Sequence, residues 1–318
     1  MVGKNLSGGD LRKRLVLLGG SGFIGQSLIR YLEERDKRGE YYIIIYDLIA
    51  PKFFSGDDYC QGRIEERDKL GKLLTKDSIV IHLAHTTIPA ESEDTPAREF
   101  EENVLPAVRL IELLRTHPIK GLVYFSSGGT IYGEPKKHLP ISEKAVCRPN
   151  SFYALAKLSI ENLINLAGEL AWLNYLIIRP SNPYGPYQEL LNRHGAVGRI
   201  FQCLISGKEF TVYGKGDTVR DYIYIDDLIS GVFCLLEKAG WNQVFNLGAG
   251  KGTSLNQLIK LCEALTGRKL KERRQKIRAT DIKYNVLDNG RLKKLGWRLS
   301  YSLEQGLEKT WTYFQKRR

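Results

Sequence analysis

Short apolar runs recur along the chain, and each has the length of a buried strand. They occupy residues 15–18, 43–46, 79–83, 122–125, 175–178 and 244–247. Segments with helical spacing of apolar residues separate them, including 96–115 and 151–168. Because strands alternate with helices, the pattern predicts an α/β fold with a doubly wound parallel sheet. The cofactor is expected at the carboxyl ends of its strands.

The first apolar run leads directly into a glycine cluster, and a helical pattern follows. Residues 20–25 read Gly-Ser-Gly-Phe-Ile-Gly, and Gly19, Gly22 and Gly25 also repeat at every third position. Missing side chains allow a tight turn, a close approach to a pyrophosphate and contact with helix N-terminal amides. Asp47 ends the second predicted strand about 20 residues further on. An acid there binds ribose hydroxyls and repels a 2′-phosphate, so the sequence predicts NAD rather than NADP.

Tyr153 and Lys157 are the candidate catalytic pair. Residues four apart lie on one face of a helix, so the Lys157 ammonium can lie near the Tyr153 hydroxyl. A cation favours phenolate, and lowering a phenol pKa from ~10 to ~7 requires roughly 4 kcal/mol. With the glycine cluster upstream, the pair predicts hydride transfer.

Composition fits a globular enzyme. Of 318 residues, 42% are hydrophobic and 10% aromatic, and no apolar run approaches the ~20 residues of a membrane span. Residues 1–10 are expected to form a polar tail. The dinucleotide-binding domain is expected to contain residues 11–178 and 221–248. The remaining residues, 179–220 and 249–318, are expected to form a smaller substrate lobe. Five scattered cysteines indicate a reducing cytoplasm, and neither they nor the five histidines suggest a metal site. His82 and His85, near a strand end, are interpreted as packing or pocket-lining residues.

The net charge is +12, and seven of the eleven residues from Arg268 to Arg278 are Lys or Arg. A solvated face explains such a run, and so does an anionic partner such as a nucleoside diphosphate or anionic lipid. Nucleic-acid binding is disfavoured because no aromatic-interleaved or helix-turn-helix pattern accompanies the charge.

From Leu15 to Tyr313 the chain resembles the extended short-chain dehydrogenase/reductase family, in particular its UDP-glucose and UDP-N-acetylglucosamine 4-epimerases. Besides the glycine cluster and the Tyr/Lys pair, the resemblance rests on motifs at 82–84, 103–104, 126–133, 179–186, 220–222 and 246–248. It implies a Rossmann sheet and an NAD-dependent isomerase that oxidises a sugar carbon, lets the keto-sugar turn, and returns the hydride to the opposite face. A homodimer is expected, because the helical segments 96–115 and 151–168 could carry apolar faces for an intersubunit bundle, although burial within one subunit predicts the same pattern.

The same resemblance implies the site residues. Tyr153 is the acid/base, and Lys157 lowers its pKa and binds the nicotinamide ribose. Asn182, Arg220 and Arg278 are expected on the diphosphate of the sugar nucleotide. The expected cofactor contacts, besides the catalytic pair, are Gly19, Gly22, Phe23, Ile24, Gly25, Asp47, Arg63, Ile64, Leu83, Ala84 and Asn103.

Two positions depart from the family pattern. Gly128 stands where the resemblance implies a catalytic Ser or Thr, so Thr130 is expected to supply the hydroxyl. The alternatives are Ser127, or a Tyr153 that works with weaker assistance. Arg63 replaces an acid that relatives place against adenine, and it is expected to stack on that base.

These departures leave alternatives open. Dehydration is disfavoured because Gly129 and Thr130 stand where dehydratases carry an Asp-Glu pair. A keto-sugar reductase and a catalytically impaired NAD-binding regulatory protein remain alternatives. Counting from Arg278, Asn285 falls where 4-epimerases gate the sugar pocket, and this small amide is expected to admit N-acetylhexosamines.

Overall fold

Seven strands form the largest sheet of the computed structural model, which describes residues 11–87, 93–135, 140–188, 195–277 and 281–316. These strands are β1 (Lys13–Leu18), β2 (Tyr41–Asp47), β3 (Asp58–Gln61), β4 (Ile79–His82), β5 (Gly121–Phe125), β6 (Tyr175–Pro180) and, tenth in chain order, β10 (Gln243–Leu247). Their order is β10-β6-β5-β4-β1-β2-β3, and the five pairings from β3 to β6 are parallel. The predicted doubly wound parallel sheet is therefore confirmed.

The central strands explain why this prediction succeeded. Strands β4, β5 and β6 are buried along their whole length, as is the apolar run of β1, because helices cover both faces of such a sheet. Strand β3 was missed in the sequence. It is a short edge strand in which half-buried and exposed residues alternate, so it carries no continuous apolar run.

The helices of the first unit include those expected after the glycine cluster and within 96–115 and 151–168, and one short helix, α2, that was not expected. They are α1 (Phe23–Glu34), α2 (Arg67–Gly71), α3 (Pro96–Glu99), α4 (Leu105–Thr116) and α5 (Phe152–Glu169). A π-helical turn, Phe100–Val104, joins α3 to α4. Ser151 caps α5 by accepting a hydrogen bond from the Ala154 amide. Within the described ranges, no helix combines the length and the apolar character needed to cross a membrane.

The chain divides into two compact units at boundaries that differ from the expected ones. The first contains the residues up to Ser126, Ser151–Ile178 and Gly240–Val244, and the second contains Ser127–Asn150, Arg179–Ala239 and Phe245–Arg318. Residues 127–150 join the second unit because Ile131, Tyr132 and Ile141 pack with Leu287. Residues 221–239 join it because they include most of its central strand and the helix that follows.

That central strand is β9 (Val219–Tyr224), which pairs with β7 (Asn182–Tyr184), β11 (Gly252–Ser254) and β13 (Tyr284–Asn285). A second, two-stranded sheet pairs β8 (Glu209–Tyr213) with β12 (Lys271–Gln275) in parallel. The helices of this unit are α6 (Ala196–Ser206), α7 (Ile225–Lys238), α8 (Leu255–Thr266), α9 (Gly290–Lys294) and α10 (Leu303–Gln315). Much of the basic run lies on β12, whose residues are all exposed.

Candidate active site

The glycine loop between β1 and α1 has a shape that side chains would block. Gly19 has a φ of +79°, in the left-handed region. A Cβ on Gly19 would lie 2.7 Å from the Ala84 backbone, and one on Gly25 would lie 2.6 Å from Gly20 Cα. A Cβ on Gly22 would instead meet its nearest atom at 3.4 Å. Gly19 and Gly25 are therefore required by packing, whereas the backbone at Gly22 is the part of the loop that a ligand can approach.

Helix α1 begins at the end of this loop. Gly22 is its N-cap and offers no side-chain cap, so the amides of the first turn keep their capacity to bind an anion. Phe23 and Ile24 form this turn, with Phe23 buried. The loop and the helix terminus together fit the pyrophosphate of a dinucleotide.

The structure brings Asp47 to the glycine loop. Its carboxylate accepts a hydrogen bond from the Ser21 amide at 2.9 Å, and its backbone carbonyl accepts one from the Gly62 amide at 3.1 Å. The second bond places Arg63 and Ile64 just beyond the end of β2. The Arg63 side chain is exposed, and Ile64 is half-buried. The predicted adenosine contacts thus lie at one edge of the first unit.

Leu83 and Ala84 lie where the strand order reverses between β1 and β4. The Leu83 amide donates to the Leu18 carbonyl at 2.8 Å, which extends the pairing of the two strands. Ala84 then packs against Gly19. Ligands of doubly wound sheets bind at this switch point.

Tyr153 and Lys157 lie in the first half of α5, as expected. Lys157 Nζ lies 5.9 Å from the centre of the Tyr153 ring and donates to the Phe125 carbonyl, at the end of β5, at 2.9 Å. Burial lowers the pKa of Lys157 to about 7, although the carboxylates of Glu99 and Glu161 oppose this shift. The ammonium is therefore easily lost, and the carboxylates of Glu99 and Glu161 are the charges that favour keeping it.

A buried acid, Glu99, organises a polar cluster beside this pair. Its carboxylate is fully buried and interacts with His85 Nε2 at 2.9 Å, with Asn103 Nδ2 at 3.2 Å, and with the Thr87 hydroxyl. His85 also makes an edge-to-face contact with the Tyr153 ring, with the ring centres 4.8 Å apart. We call Glu99, His85, Thr87 and Asn103 the Glu99 cluster.

Sequence reasoning missed Glu99 and Thr87 and expected Asn103 to contact the cofactor. In the structure, both side-chain polar atoms of Asn103 bind protein groups, because Oδ1 also accepts from the Thr86 amide at 2.9 Å. The i,i+4 spacing of Glu99 and Asn103 was the available signal. Only the tertiary fold shows that this helical face meets the segment after β4.

In the second unit, Ser127 and Thr130 form a hydroxyl pair. Thr130 Oγ1 donates to Ser127 Oγ at 2.9 Å, and the Thr130 amide donates to the Ser127 carbonyl at 3.2 Å. The Thr130 proton is thus directed at Ser127, which leaves the Ser127 proton for another acceptor. This arrangement favours Ser127, the alternative from the sequence, over Thr130 as the hydroxyl that faces the substrate.

Gly128 lies between these hydroxyl residues in closely packed surroundings. A Cβ there would meet Leu287 Cδ1 at 2.6 Å, the Arg179 carbonyl oxygen at 2.9 Å and the Pro180 carbonyl oxygen at 3.1 Å. The glycine is therefore required by packing, and a side chain with a hydroxyl could not be accommodated there without displacing its neighbours.

The expected substrate residues are placed unevenly. Asn182 Nδ2 donates to the Asp221 carbonyl at 3.1 Å, and the half-buried Arg220 donates to its neighbour's carbonyl, that of Val219. Arg278 lies outside the described residues. Asn285 pairs with Arg220 between β13 and β9.

The structure does not place Asn285 as an open pocket residue. Its side chain is fully buried, and Nδ2 donates to the Gly128 carbonyl at 3.0 Å. The count of residues from Arg278 identifies the position of Asn285 in the sequence but not the orientation of its side chain. In the structure, strand β13 directs this side chain toward residues 127–130.

Comparison with known proteins yields consistent matches. Residues 15–248 match the NAD dependent epimerase/dehydratase family. A UDP-glucose 4-epimerase of Mycolicibacterium smegmatis is 30% identical over 96% of this chain and 99% of its own length. A dTDP-4-dehydro-6-deoxyglucose reductase of Escherichia coli is 30% identical over 94% of this chain and 97% of its own.

A solved structure agrees with these sequence matches. The crystal structure of UDP-glucose 4-epimerase from Thermotoga maritima, with UDP-glucose, superposes with a TM-score of 0.88. The two sequences are 33% identical, and the match covers 96% of this chain and 99% of that protein.

Proposed function

The chain belongs to the NAD-dependent epimerase/dehydratase family, and on that premise we propose that it inverts the C4 hydroxyl of a UDP-hexose through a 4-keto intermediate. The observation that carries the proposal is the contact between Lys157, the end of β5 and Tyr153 in the same unit as the glycine loop. The similar epimerases of M. smegmatis and T. maritima support UDP-glucose as the first substrate to test.

The glycine loop, the α1 terminus and Asp47 would hold NAD, which supplies a hydride acceptor and donor when bound. Tyr153 would take the proton of the sugar hydroxyl onto its phenolic oxygen and would later return it to the oxygen of the keto group, after the sugar has turned its other face. Lys157 would stabilise the phenolate, and its bond to the Phe125 carbonyl fixes the position of the ammonium.

Ser127 is our candidate for the hydroxyl that hydrogen-bonds the reacting oxygen. It comes two residues after Phe125, and its own proton remains available because Thr130 donates to it. Asn182, Arg220 and Arg278 remain the proposed diphosphate contacts. Binding of the diphosphate by Arg278 would also explain part of the positive charge of the run from Arg268 to Arg278.

A keto-sugar reductase is the second candidate, and the similarity to the E. coli reductase favours it. The two reactions differ in what happens to the cofactor. An epimerase regenerates NAD in every turnover, so the purified protein should retain NAD and need none added. A reductase consumes added NADH or NADPH in proportion to product.

The decisive experiment incubates the purified protein with UDP-, GDP-, CDP- and dTDP-hexoses, with and without N-acetyl groups, and with the corresponding 4-keto-hexoses, and resolves the products by NMR. We expect UDP-glucose and UDP-galactose to interconvert without added cofactor. Conversion only with added NADH, and of keto-sugars only, would favour the reductase. A protein that binds NAD but converts no sugar would be the regulatory alternative.

We further propose a homodimer, formed through the faces of α4 and α5. Leu105, Leu155 and Leu166 on these helices are 46%, 40% and 53% exposed, and such apolar groups are costly to leave in water. Light scattering should give twice the mass of one chain, and Leu166→Glu should reduce the measured mass to that of a single chain.

Because all five cysteines are free thiols, we also propose that the protein works in the cytoplasm.

A further inference from the structure

The Glu99 cluster fixes which nitrogen of His85 carries a proton. The interactions with His85, Thr87 and Lys157 hold the pKa of Glu99 below its usual value despite burial, so Glu99 is a carboxylate and can only accept hydrogen bonds. His85 Nε2, 2.9 Å away, must therefore be the donor.

The second ring nitrogen, Nδ1, is consequently an acceptor. Burial and the nearby Lys157 ammonium lower the pKa of His85 to about 4, so the imidazole is neutral at physiological pH. The charged or titratable groups that act on His85 are Glu99, Lys157, Tyr153 and His82. Within the described part of the chain, no hydrogen bond uses Nδ1. Nδ1 also differs from the ring nitrogens of His82, both of which are sealed from solvent.

The position of His85 limits what can donate to this acceptor. His85 follows β4 at the switch point of the sheet, next to Ala84, and touches the ring of Tyr153. Tyr153 is the group that acts on the sugar hydroxyl in the proposed reaction, so an acceptor beside its ring lies near the reacting hexose. The nicotinamide amide is the competing donor.

We propose that His85 is a specificity-determining residue whose Nδ1 accepts a hydrogen bond from a hydroxyl of the substrate hexose, with Glu99 as the positioning residue that fixes its tautomer. The inference rests on the proposed function, because it takes Tyr153 to act on a sugar. It assigns to this chain a polar contact for the sugar ring in addition to the contacts for the diphosphate.

Two substitutions of His85 separate its nitrogens. In His85→Gln the new amide lies near the former Nε2 and can still reach Glu99, but nothing replaces Nδ1. In His85→Asn the amide oxygen lies near the former Nδ1. We expect the KM for UDP-glucose to rise about tenfold in His85→Gln, the size of one lost neutral hydrogen bond, and at least threefold less in His85→Asn. Affinity for UDP and the content of bound NAD should not change in either variant.

His117→Gln is the matched control, because His117 is exposed at the end of α4. Equal KM values in the two His85 variants would show that Nδ1 has no role. Loss of bound NAD in His85→Gln would assign the hydrogen bond to the nicotinamide amide and overturn the hexose assignment. If the wild-type protein converts no sugar, the proposed function fails, while calorimetric binding of UDP-glucose to the same variants still tests His85.

The tautomer has its own readout. In ¹⁵N-histidine-labelled protein, His85 should show a protonated Nε2 and an unprotonated Nδ1, unchanged from pH 6 to pH 9. Glu99→Gln should allow the other tautomer, because a glutamine side chain can donate to Nε2 as well as accept from it. A wild-type ring protonated at Nδ1 would contradict the proposal, whatever the kinetics show.

Discussion

Gly128→Ser tests whether packing excludes a side-chain hydroxyl at this position. The new Cβ would lie 2.6 Å from Leu287 Cδ1 and 2.9 and 3.1 Å from two backbone carbonyl oxygens. Leu287 is fully buried, so its methyl group cannot move into solvent. Overpacking of this kind costs about 1–3 kcal/mol, and the reduced freedom of the unfolded chain offsets about 0.4–1 kcal/mol. We expect a net loss of about 1–2 kcal/mol and no gain in turnover.

Gly129→Ser is the matched control one residue away. Its Cβ would meet the nearest atom, Asn182 Nδ2, at 3.7 Å, an ordinary contact distance. Its unfolding free energy should therefore equal that of wild type or exceed it by up to about 1 kcal/mol, because only the unfolded chain loses freedom. Urea unfolding, followed by circular dichroism, measures both variants. If Gly128→Ser matches Gly129→Ser in stability, or turns over faster than wild type, the glycine is not imposed by packing.

Three further predictions concern the catalytic residues. Tyr153→Phe should abolish turnover and keep its bound NAD, measured by extraction and chromatography, because the phenol proton serves chemistry and not cofactor binding; an active variant would refute the assignment. Ser127→Ala should lower kcat by about a hundred- to a thousandfold and Thr130→Val by only about tenfold, because Thr130 acts through Ser127; the reverse order would restore Thr130 as the direct donor. The lowered pKa of Lys157 means that the folded protein loses stability as pH falls from about 10 toward 7, where the buried amine takes up a proton. Lys157→Met lacks this amine, so as pH falls from about 10 to 7 the unfolding free energy of the cofactor-free variant should rise relative to that of wild type. A difference that does not depend on pH would contradict the lowered pKa.

The sequence predicts the first unit well because its main features depend on residues that are close together in the sequence. A buried parallel strand needs a continuous apolar run, and a pyrophosphate loop needs glycines at set spacings, so β1, β4 and Gly19 are visible without a structure. The resemblance to the NAD-dependent epimerase family rests on further motifs along the chain and is confirmed by the comparisons.

The second unit is less predictable because its contacts join distant residues. Asn285 donates to the carbonyl of a residue 157 positions earlier, and no periodicity in the sequence records that pairing. The direction of the bond from Thr130 to Ser127 likewise depends on the conformation of the loop. The tautomer of His85 depends on Glu99, which a helix brings from elsewhere in the first unit.

Strand β9 has a consequence for the order in which the protein can fold as it is synthesised. One of its partners, β7, precedes it in the chain, whereas β11 and β13 follow it. Strands β1 to β5 can pair once their own residues have left the ribosome, but β9 receives its last partner only after Asn285 has been made. A chain terminated before Tyr284 would therefore carry a complete dinucleotide loop beside a second unit with an unpaired strand edge, which invites aggregation.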